Sequence, residues 1–465
     1  MSTPTAEPHP LRIAIVGSGP SAFYAAEDLF KSGREVRVDM LERLPAPYGL
    51  VRHGVAPDHQ KLKEPIRIYE GIARHPGFRL FGNVTVGKDV TVEELRAAYH
   101  AVLFCTGAET DRRLGIPGED LPGSHTATEF VGWYNAHPDY RDRQFDLSQE
   151  VAVIIGQGNV AIDVARILAK TVDELKHTDI AEHALACLAA SRIREIHLIG
   201  RRGPAQAKFT TKEFRELGEL ADCEPVVDPA DLDLNPESRA ELEERAGSVA
   251  KKNLEVLRTF AARGAGARSA QRRVFLRFLL SPVELRGEGR VEQVVLERNR
   301  LEGGPFHQVA RGTGQYLTQA CGLVFRSIGY RGVAIPGVPF DARQGVFPTR
   351  DGRIVDAAGI PIPGLYASGW IKRGPTGIIG TNRADSMATL ESLLADLDTL
   401  DRGPKPGAEG VPGLTAAGHG ALVVGFEDWL VIDRAEVQRG APKGKPREKF
   451  TRREEMLRLL RRPLS

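Results

Sequence analysis

Apolar and polar positions fall into a repeating layout along this chain. Short, nearly continuous apolar runs of strand length lead into glycine-rich turns, and a helical 3.6-residue repeat follows. The first such block is Arg12-Ile-Ala-Ile-Val16, running into Gly17-Ser-Gly-Pro-Ser-Ala22. A helix is predicted from there to about Lys31, then a second strand over residues 35–42. Residues 101–106 form a later strand ending at Gly107. The layout returns about 140 residues on, with Val151–Ile155 leading into Gly156-Gln-Gly-Asn-Val-Ala161, a helix, and a strand over 195–200. Strand, glycine turn, helix, strand is the right-handed crossover unit of α/β proteins. The predicted fold class is therefore α/β, with two Rossmann-like dinucleotide-binding modules.

The remaining pattern is less regular. Residues 228–268 are rich in charge and helix formers, and 273–301 read as antiparallel strands around a Gly287-Glu-Gly289 turn. A buried strand is expected over 323–328 and a helix over about 382–397. Residues 401–418 are Gly/Pro-rich and read as a linker or surface loop, and a basic tail runs from Lys443 to Arg462.

Composition narrows the class. At 465 residues the chain is too long for one ordinary core, and 42% hydrophobic with 27% charged residues is a globular mix. No apolar run reaches membrane-spanning length, and the N-terminus has neither a secretory layout nor an Arg-rich presequence, so a cytoplasmic location is expected. Cys105, Cys187, Cys223 and Cys321 form no CxxC pair and no iron–sulfur spacing. A redox centre would have to be a bound organic cofactor, and no metal site is expected. A net charge of +2 gives the molecule no overall electrostatic identity, and the basic tail lacks aromatic interleaving, which argues against nucleic acid as a partner.

The two glycine turns carry the chemistry. Gly17 permits the tight turn, Gly19 lets backbone approach a pyrophosphate, and Ala22 lets helix and strand pack closely. The helix that follows presents unpaired N–H groups and a positive dipole end. Glu42, closing the second strand, can accept both hydroxyl hydrogens of a ribose. Gly156, Gly158 and Ala161 repeat the fingerprint, but the second strand of that unit ends on Arg201 and Arg202. A carboxylate there would repel a 2′-phosphate, whereas two guanidinium groups pair with it, so NADP(H) is expected over NAD(H). The separation of Gly156 and Arg201 is roughly twice the ~20 residues of the simple fingerprint, and an insertion over about 175–190 accounts for it. One acidic and one basic fingerprint make two different dinucleotide sites.

Longer stretches then resemble a known family. The opening Gly17-Ser-Gly-Pro-Ser-Ala-Phe-Tyr-Ala-Ala26 is joined by Pro47-Tyr-Gly-Leu-Val-Arg-His-Gly-Val-Ala-Pro-Asp-His59 and Gly115-Ile-Pro-Gly-Glu-Asp-Leu-Pro-Gly123. Gly156-Gln-Gly-Asn-Val-Ala-Ile-Asp-Val-Ala-Arg166, Gly200-Arg-Arg-Gly-Pro204 and Gly369-Trp-Ile-Lys-Arg-Gly-Pro-Thr-Gly377 complete the set. Together they resemble adrenodoxin reductase and the bacterial ferredoxin–NADP reductases of that type, over nearly the whole length. The resemblance implies a glutathione-reductase-like flavoprotein with FAD in a discontinuous domain, 1–110 and 325–465, and an inserted NADP(H) domain, 111–324. By the same resemblance Gly17, Gly19, Pro20, Ser21, Ala22, Glu42, Leu50, Val86 and Gly107 fall at the FAD site, with Trp370, Gly377, Ile378 and Ile379 at the flavin ring. Arg112, Gln157, Gly158, Asn159, Val160, Ala161, Arg201, Arg202 and Glu213 fall on NADP contacts, and Gly377 beside the nicotinamide. His59 and Glu216 match residues associated with proton handling near the flavin. Read by themselves, His59 equally suits a hydrogen-bonded structural histidine, and Glu216 a surface ion pair with Lys212 or Arg215.

The implied activity is NADPH:ferredoxin oxidoreduction, with hydride passing from NADPH to FAD N5 and single electrons to an iron–sulfur protein. Cytochrome P450 systems are one downstream route, and a monomer is expected from the family. Lys251, Lys252, Arg258, Arg263, Arg268, Arg272, Arg273 and Arg277 are a candidate docking face for an acidic ferredoxin, diluted by Glu241, Glu243 and Glu244. Other readings stay open: a monooxygenase, a glutamate-synthase-like electron-transfer module, or a non-catalytic NADP-binding sensor. Disulfide reduction would need the missing CxxC.

Overall fold

A computed structural model describes residues 9–244, 248–264, 269–400, 403–415 and 422–461. Residues 1–8, Arg268, Arg462 and part of 401–418 lie outside the described residues. The first sheet has seven strands in the order Thr349–Arg350, Arg353–Val355, Pro361–Ala367, Ala101–Phe104, Leu11–Val16, Val36–Glu42, Phe78–Gly82. Its last five are parallel, and Leu11–Val16 has Ala101–Phe104 on one side and Val36–Glu42 on the other. Alternate residues of that central strand enter separate cores, Ile13 and Ile15 on one face and Ala14 and Val16 on the other. That is why it reads as continuously apolar.

The second sheet has six strands, all parallel: Ser124–Thr126, Leu323–Arg326, Val151–Ile155, Glu195–Ile199, Arg272–Arg277, Cys223–Val227. Helices cover the face carrying Ala152 and Ile154, while Val153 and Ile155 pack under a three-stranded antiparallel sheet, Leu280–Arg286, Gln293–Glu302 and Val309–Ala320. Two expectations change here. Arg272–Arg277 is a parallel strand of the main sheet rather than part of the antiparallel set. The expected return to the first module at 325 falls inside Leu323–Arg326, which pairs with Val151–Ile155. The chain instead crosses at a two-stranded ribbon, Thr110–Asp111 with Tyr330–Arg331.

The insertion inferred from the long Gly156–Arg201 spacing is helical, Val172–Leu175 and Glu182–Ala189. The segment read as a linker is packed: among 403–415, Ala408, Val411 and Leu414 are buried in the first module's core. Nor is the basic tail free. Lys445 donates to Glu448 and Glu182 at 2.7 and 3.2 Å, and Lys449 lies 3.0 Å from Asp179, which also receives Lys63 at 2.7 Å. Asp179 and Glu182 belong to the insertion, so the C-terminal segment straps the first module to the second. No helix among the described residues is long and apolar enough to cross a membrane.

Candidate functional site

Both glycine turns have the geometry that a dinucleotide cradle needs. Gly17 has φ +99°, and a Cβ there would lie 2.6 Å from the Cys105 carbonyl oxygen. Gly156 has φ +133°, and a Cβ would lie 2.1 Å from the Ser327 carbonyl oxygen. Neither position accepts a side chain. Gly19 and Gly158 are different: each caps its helix, and a Cβ there would meet no protein atom within 4 Å. That space is left where a pyrophosphate would lie. Neither helix N-terminus, Pro20–Phe30 or Asn159–Ala169, has a side-chain cap; in the first, Pro20 carries no N–H and the Ala22 amide donates to Gly19 at 3.0 Å, which leaves the Ser21 amide of that turn for a phosphate oxygen. Ala22 and Ala161 are fully buried at the helix–strand contacts.

The ribose ends differ as their charges require. Glu42 accepts from the Ser18 hydroxyl at 2.6 Å and the Leu44 amide at 2.9 Å, which fixes its carboxylate beside the first cradle. Burial pushes that carboxyl upward, and these two hydrogen bonds pull against it. At the second cradle, Arg201 is exposed and Arg202 half-buried, and neither has a carboxylate in ion-pair contact among the described residues. Burial, then repulsion from Arg201, lowers the pKa of Arg202. Their loop is pinned from the antiparallel sheet, since Asn299 donates to the Arg201 carbonyl at 2.9 Å and the Leu279 amide to that of Arg202 at 3.1 Å. Two positive groups held together, with Glu241 acting on Arg202 only from beyond ion-pair distance, favour an anion.

Several predicted residues have their side chains otherwise engaged. The Ser21 hydroxyl is buried against those of Ser368 and Ser386 at 2.7 and 2.9 Å, tying the first helix to the chain's later return. Gln157 donates to the Arg277 carbonyl at 2.9 Å, and Asn159 accepts from the Thr210 amide at 2.8 Å. These bonds fix all three side chains in place. Pro20 opens the first helix, and Val160 packs on the second module's core. Leu50 and Val86 are half-buried, and Gly107 has φ +70° with open space beside it. Arg112 is exposed beside the crossing ribbon, where its amide donates to Gly329.

The Trp370 indole donates to the Thr376 carbonyl at 3.1 Å and stacks on Tyr330 with centroids 5.6 Å apart. Gly377 (φ +83°) and Ile378 are exposed and Ile379 half-exposed. The helix Thr381–Ala395 starts directly after them with no side-chain cap, so its positive end faces the same space.

His59 and Glu216 meet across the two modules, with Nε2 2.8 Å from Oε2. Glu216 makes no ion pair with Lys212 or Arg215 among the described residues. Its second partner is Arg166, at 2.8 Å. Arg166 also reaches Asp58 and Asp163, and Lys170 pairs with Asp58 at 2.8 Å. These four were missed by sequence reasoning, although Asp58 adjoins His59 and Asp163 and Arg166 lie one helical turn apart. A cavity of about 310 Å³ opens beside the cluster, lined by Asp58, His59, Arg166, Glu174, Glu216 and Glu219 among others. Glu213 stands close by with one buried oxygen unpartnered, its carboxyl pushed upward by burial and then by Asp163.

The candidate docking run does not form one surface. Lys251, Lys252, Arg258 and Arg263 are exposed on the helix Val249–Arg263. Arg272 is spent on the carbonyls of Ile193, Ala169 and Lys170, Arg273 on Glu195, and Arg277 on Gln319.

Two modules, each a largely parallel sheet with an open glycine cradle, define a two-dinucleotide-binding oxidoreductase. The family described as pyridine nucleotide-disulphide oxidoreductase matches residues 11–215. NADPH-ferredoxin reductase FprA of Mycobacterium tuberculosis (strain ATCC 25618 / H37Rv) is 47% identical over 463 residues, 97% of this chain and 99% of that one. The mitochondrial NADPH:adrenodoxin oxidoreductase of Bos taurus is 45% identical over 461 residues, covering 97% and 92%. The solved structure of Mycobacterium tuberculosis FprA in complex with NADPH superimposes with a TM-score of 0.89 at 46% identity, covering 97% and 99%. This chain belongs to the NADPH-ferredoxin and adrenodoxin reductase family.

All four cysteines are free. Cys105, Cys223 and Cys321 are buried and burial pushes each thiol up to about 12, so none serves as a thiolate.

Proposed function

We propose that this chain is an FAD-dependent NADPH:ferredoxin oxidoreductase, taking two electrons from NADPH and delivering them singly to a ferredoxin-type iron–sulfur protein. The observation that carries it is the pair of open cradles in one chain, one ending on Glu42 and the other on Arg201 and Arg202, which have no carboxylate in ion-pair contact among the described residues. Near-full-length similarity to NADPH-ferredoxin reductase supports the acceptor class. Bound FAD supplies the chemistry, accepting a hydride and releasing electrons one at a time.

The chain's own residues bind and orient. In this reading the first module comprises the described residues up to about 110 and from about 330 onward, and it holds FAD. The Gly19 turn takes the pyrophosphate, Glu42 the ribose, and residues 370–379 the flavin ring. The N-terminus of Thr381–Ala395 favours negative charge on that ring. The second module holds NADP(H) at Gly158, with Arg201 and Arg202 on the 2′-phosphate and Arg112 and Glu213 along the way to the nicotinamide, which Gly377 leaves room to approach. His59 Nε2 and Glu216 Oε2 share a proton at the seam, and the adjoining cavity opens a path to solvent for it. A cytoplasmic setting completes the proposal. It is supported by likeness to bacterial relatives, the animal relatives being mitochondrial by name.

The test is anaerobic. The purified protein's flavin spectrum is recorded, NADPH or NADH is added, and then oxidised ferredoxin. Bleaching by NADPH in preference to NADH, with reoxidation by ferredoxin, is the expected result. Colourless protein, or bleaching without delivery to any ferredoxin, would refute it.

A further inference from the structure

The cluster behind His59 is organised by one side chain. Arg166 has 1% of its side chain exposed, yet it contacts three carboxylates from three segments. Its Nη1 donates to Asp58 Oδ2 at 2.7 Å and to Glu216 Oε2 at 2.8 Å. Its Nη2 donates to Asp58 Oδ1 at 3.1 Å and to Asp163 Oδ1 at 2.9 Å. Glu216 Oε2 is also the oxygen that faces His59 Nε2, so a single atom is held between the imidazole and the guanidinium. Asp58 precedes His59 in the first module, whereas Asp163 and Glu216 stand on two helices of the second. One planar fork therefore fixes both the loop that carries the imidazole and the helix that carries its partner.

The charges in the cluster are matched to this task. Asp58, Asp163 and Glu216 face Arg166 and Lys170, which leaves the acids one charge in excess. His59 stands against this excess, its Nε2 on Glu216 and its Nδ1 3.9 Å from Asp163. Glu213, Tyr134 and Tyr330 are the other titratable groups close to Asp163, and Glu174 and Glu219 line the cavity's edge. A lysine at 166 would keep the charge, but its point donor cannot span three carboxylates.

We infer that Arg166 is a positioning residue for the reduction of this protein by NADPH: it seats Glu216 on His59 and locks that pair across the two modules. The inference rests on the reading of His59 and Glu216 as the proton-handling pair. It is tested on flavin-loaded protein by stopped-flow bleaching with NADPH across the near-neutral pH range, for Arg166→Lys, Glu216→Gln and the double variant. Arg166→Lys is expected to keep its flavin and to bind NADPH within about twofold of the parent. Its limiting rate should fall by about tenfold or more, and the pH at which the rate bends should move. The double variant should be no slower than Glu216→Gln, because both act through one contact.

A parental rate with an unmoved bend in Arg166→Lys, or losses that multiply in the double variant, overturns the inference. If Glu216→Gln itself leaves the rate and its pH dependence unaltered, the proton-pair reading falls first. Should Arg166→Lys emerge without flavin, Asp58→Asn retains the guanidinium and removes one of its anchors. A roughly threefold loss with a displaced bend then supports the inference, and an unmoved bend refutes it.

Discussion

Replacing Arg201 and Arg202 by alanine removes the charge expected to choose NADPH over NADH. Charge-assisted hydrogen bonds contribute about 1.5–3 kcal/mol each when sheltered from water, and less when exposed. Arg202 is half-buried, its loop is pinned by the Leu279 amide, and no carboxylate among the described residues is in ion-pair contact with it, so about 2 kcal/mol is a reasonable share. Arg201 is exposed, and about 1 kcal/mol suits a solvated guanidinium. Together they make about 3 kcal/mol, or roughly a 150-fold fall in the kcat/KM ratio of NADPH over NADH. Arg202→Ala alone should give about 30-fold and Arg201→Ala about fivefold. The assay is steady-state reduction of an artificial acceptor with each nucleotide. The change should lie in the NADPH value, with NADH little affected and the flavin spectrum intact. A double variant that keeps the parental preference would refute the assignment. So would equal losses with both nucleotides, since NADH carries no 2′-phosphate to lose.

Other perturbations separate cradle from scaffold. Gly19→Ala places a Cβ that meets no protein atom within 4 Å, so the apoprotein should fold while FAD content falls; Gly17→Ala forces a Cβ onto the Cys105 carbonyl at positive φ and should lower thermal stability itself. Glu436→Gln breaks a pair in which Arg52 donates at 2.6 and 2.9 Å with both side chains buried, a loss of about 3–5 kcal/mol visible as a lower denaturant midpoint. Two lysines, Lys63 and Lys449, share the Asp179 carboxylate, and burial lowers Lys449 to about 7 from its ordinary 10.5. The unfolded chain therefore binds more protons between those values, so this lysine makes stability rise with pH from about 7 to about 10.5. Lys449→Met should flatten that rise in denaturant titrations at successive pH values, and an unchanged slope would refute it.

What the sequence made legible was local. Gly17 and Gly156 are demanded by positive φ and by a carbonyl at the Cβ position, so each turn announces itself within a few residues. The helical insertion could be inferred because it lengthened a known spacing. The resemblance put His59 and Glu216 in one region, but Arg166, 50 positions from Glu216, is revealed only by the folded chain. Arg272–Arg277 was placed in the wrong sheet for a different reason. Its outward residues Arg273, Phe275 and Arg277 are only partly covered, so it alternates like an antiparallel strand although both of its neighbours run parallel. The basic tail could be read as solvated or packed, because nothing in its composition reveals Asp179 and Glu182 waiting on another module.

The route of the chain has a consequence for how the protein is made. Strand Ala101–Phe104 pairs with Leu11–Val16 early, but its other neighbour, Pro361–Ala367, comes hundreds of residues later, and the Ser21 hydroxyl waits for Ser368 and Ser386. During synthesis the second module, complete once Leu323–Arg326 has emerged, can close while the first remains open on one side. On the proposed assignment of FAD to the first module, flavin capture is then a late event on the ribosome, and a nascent chain halted near residue 340 would carry a finished second module and no colour.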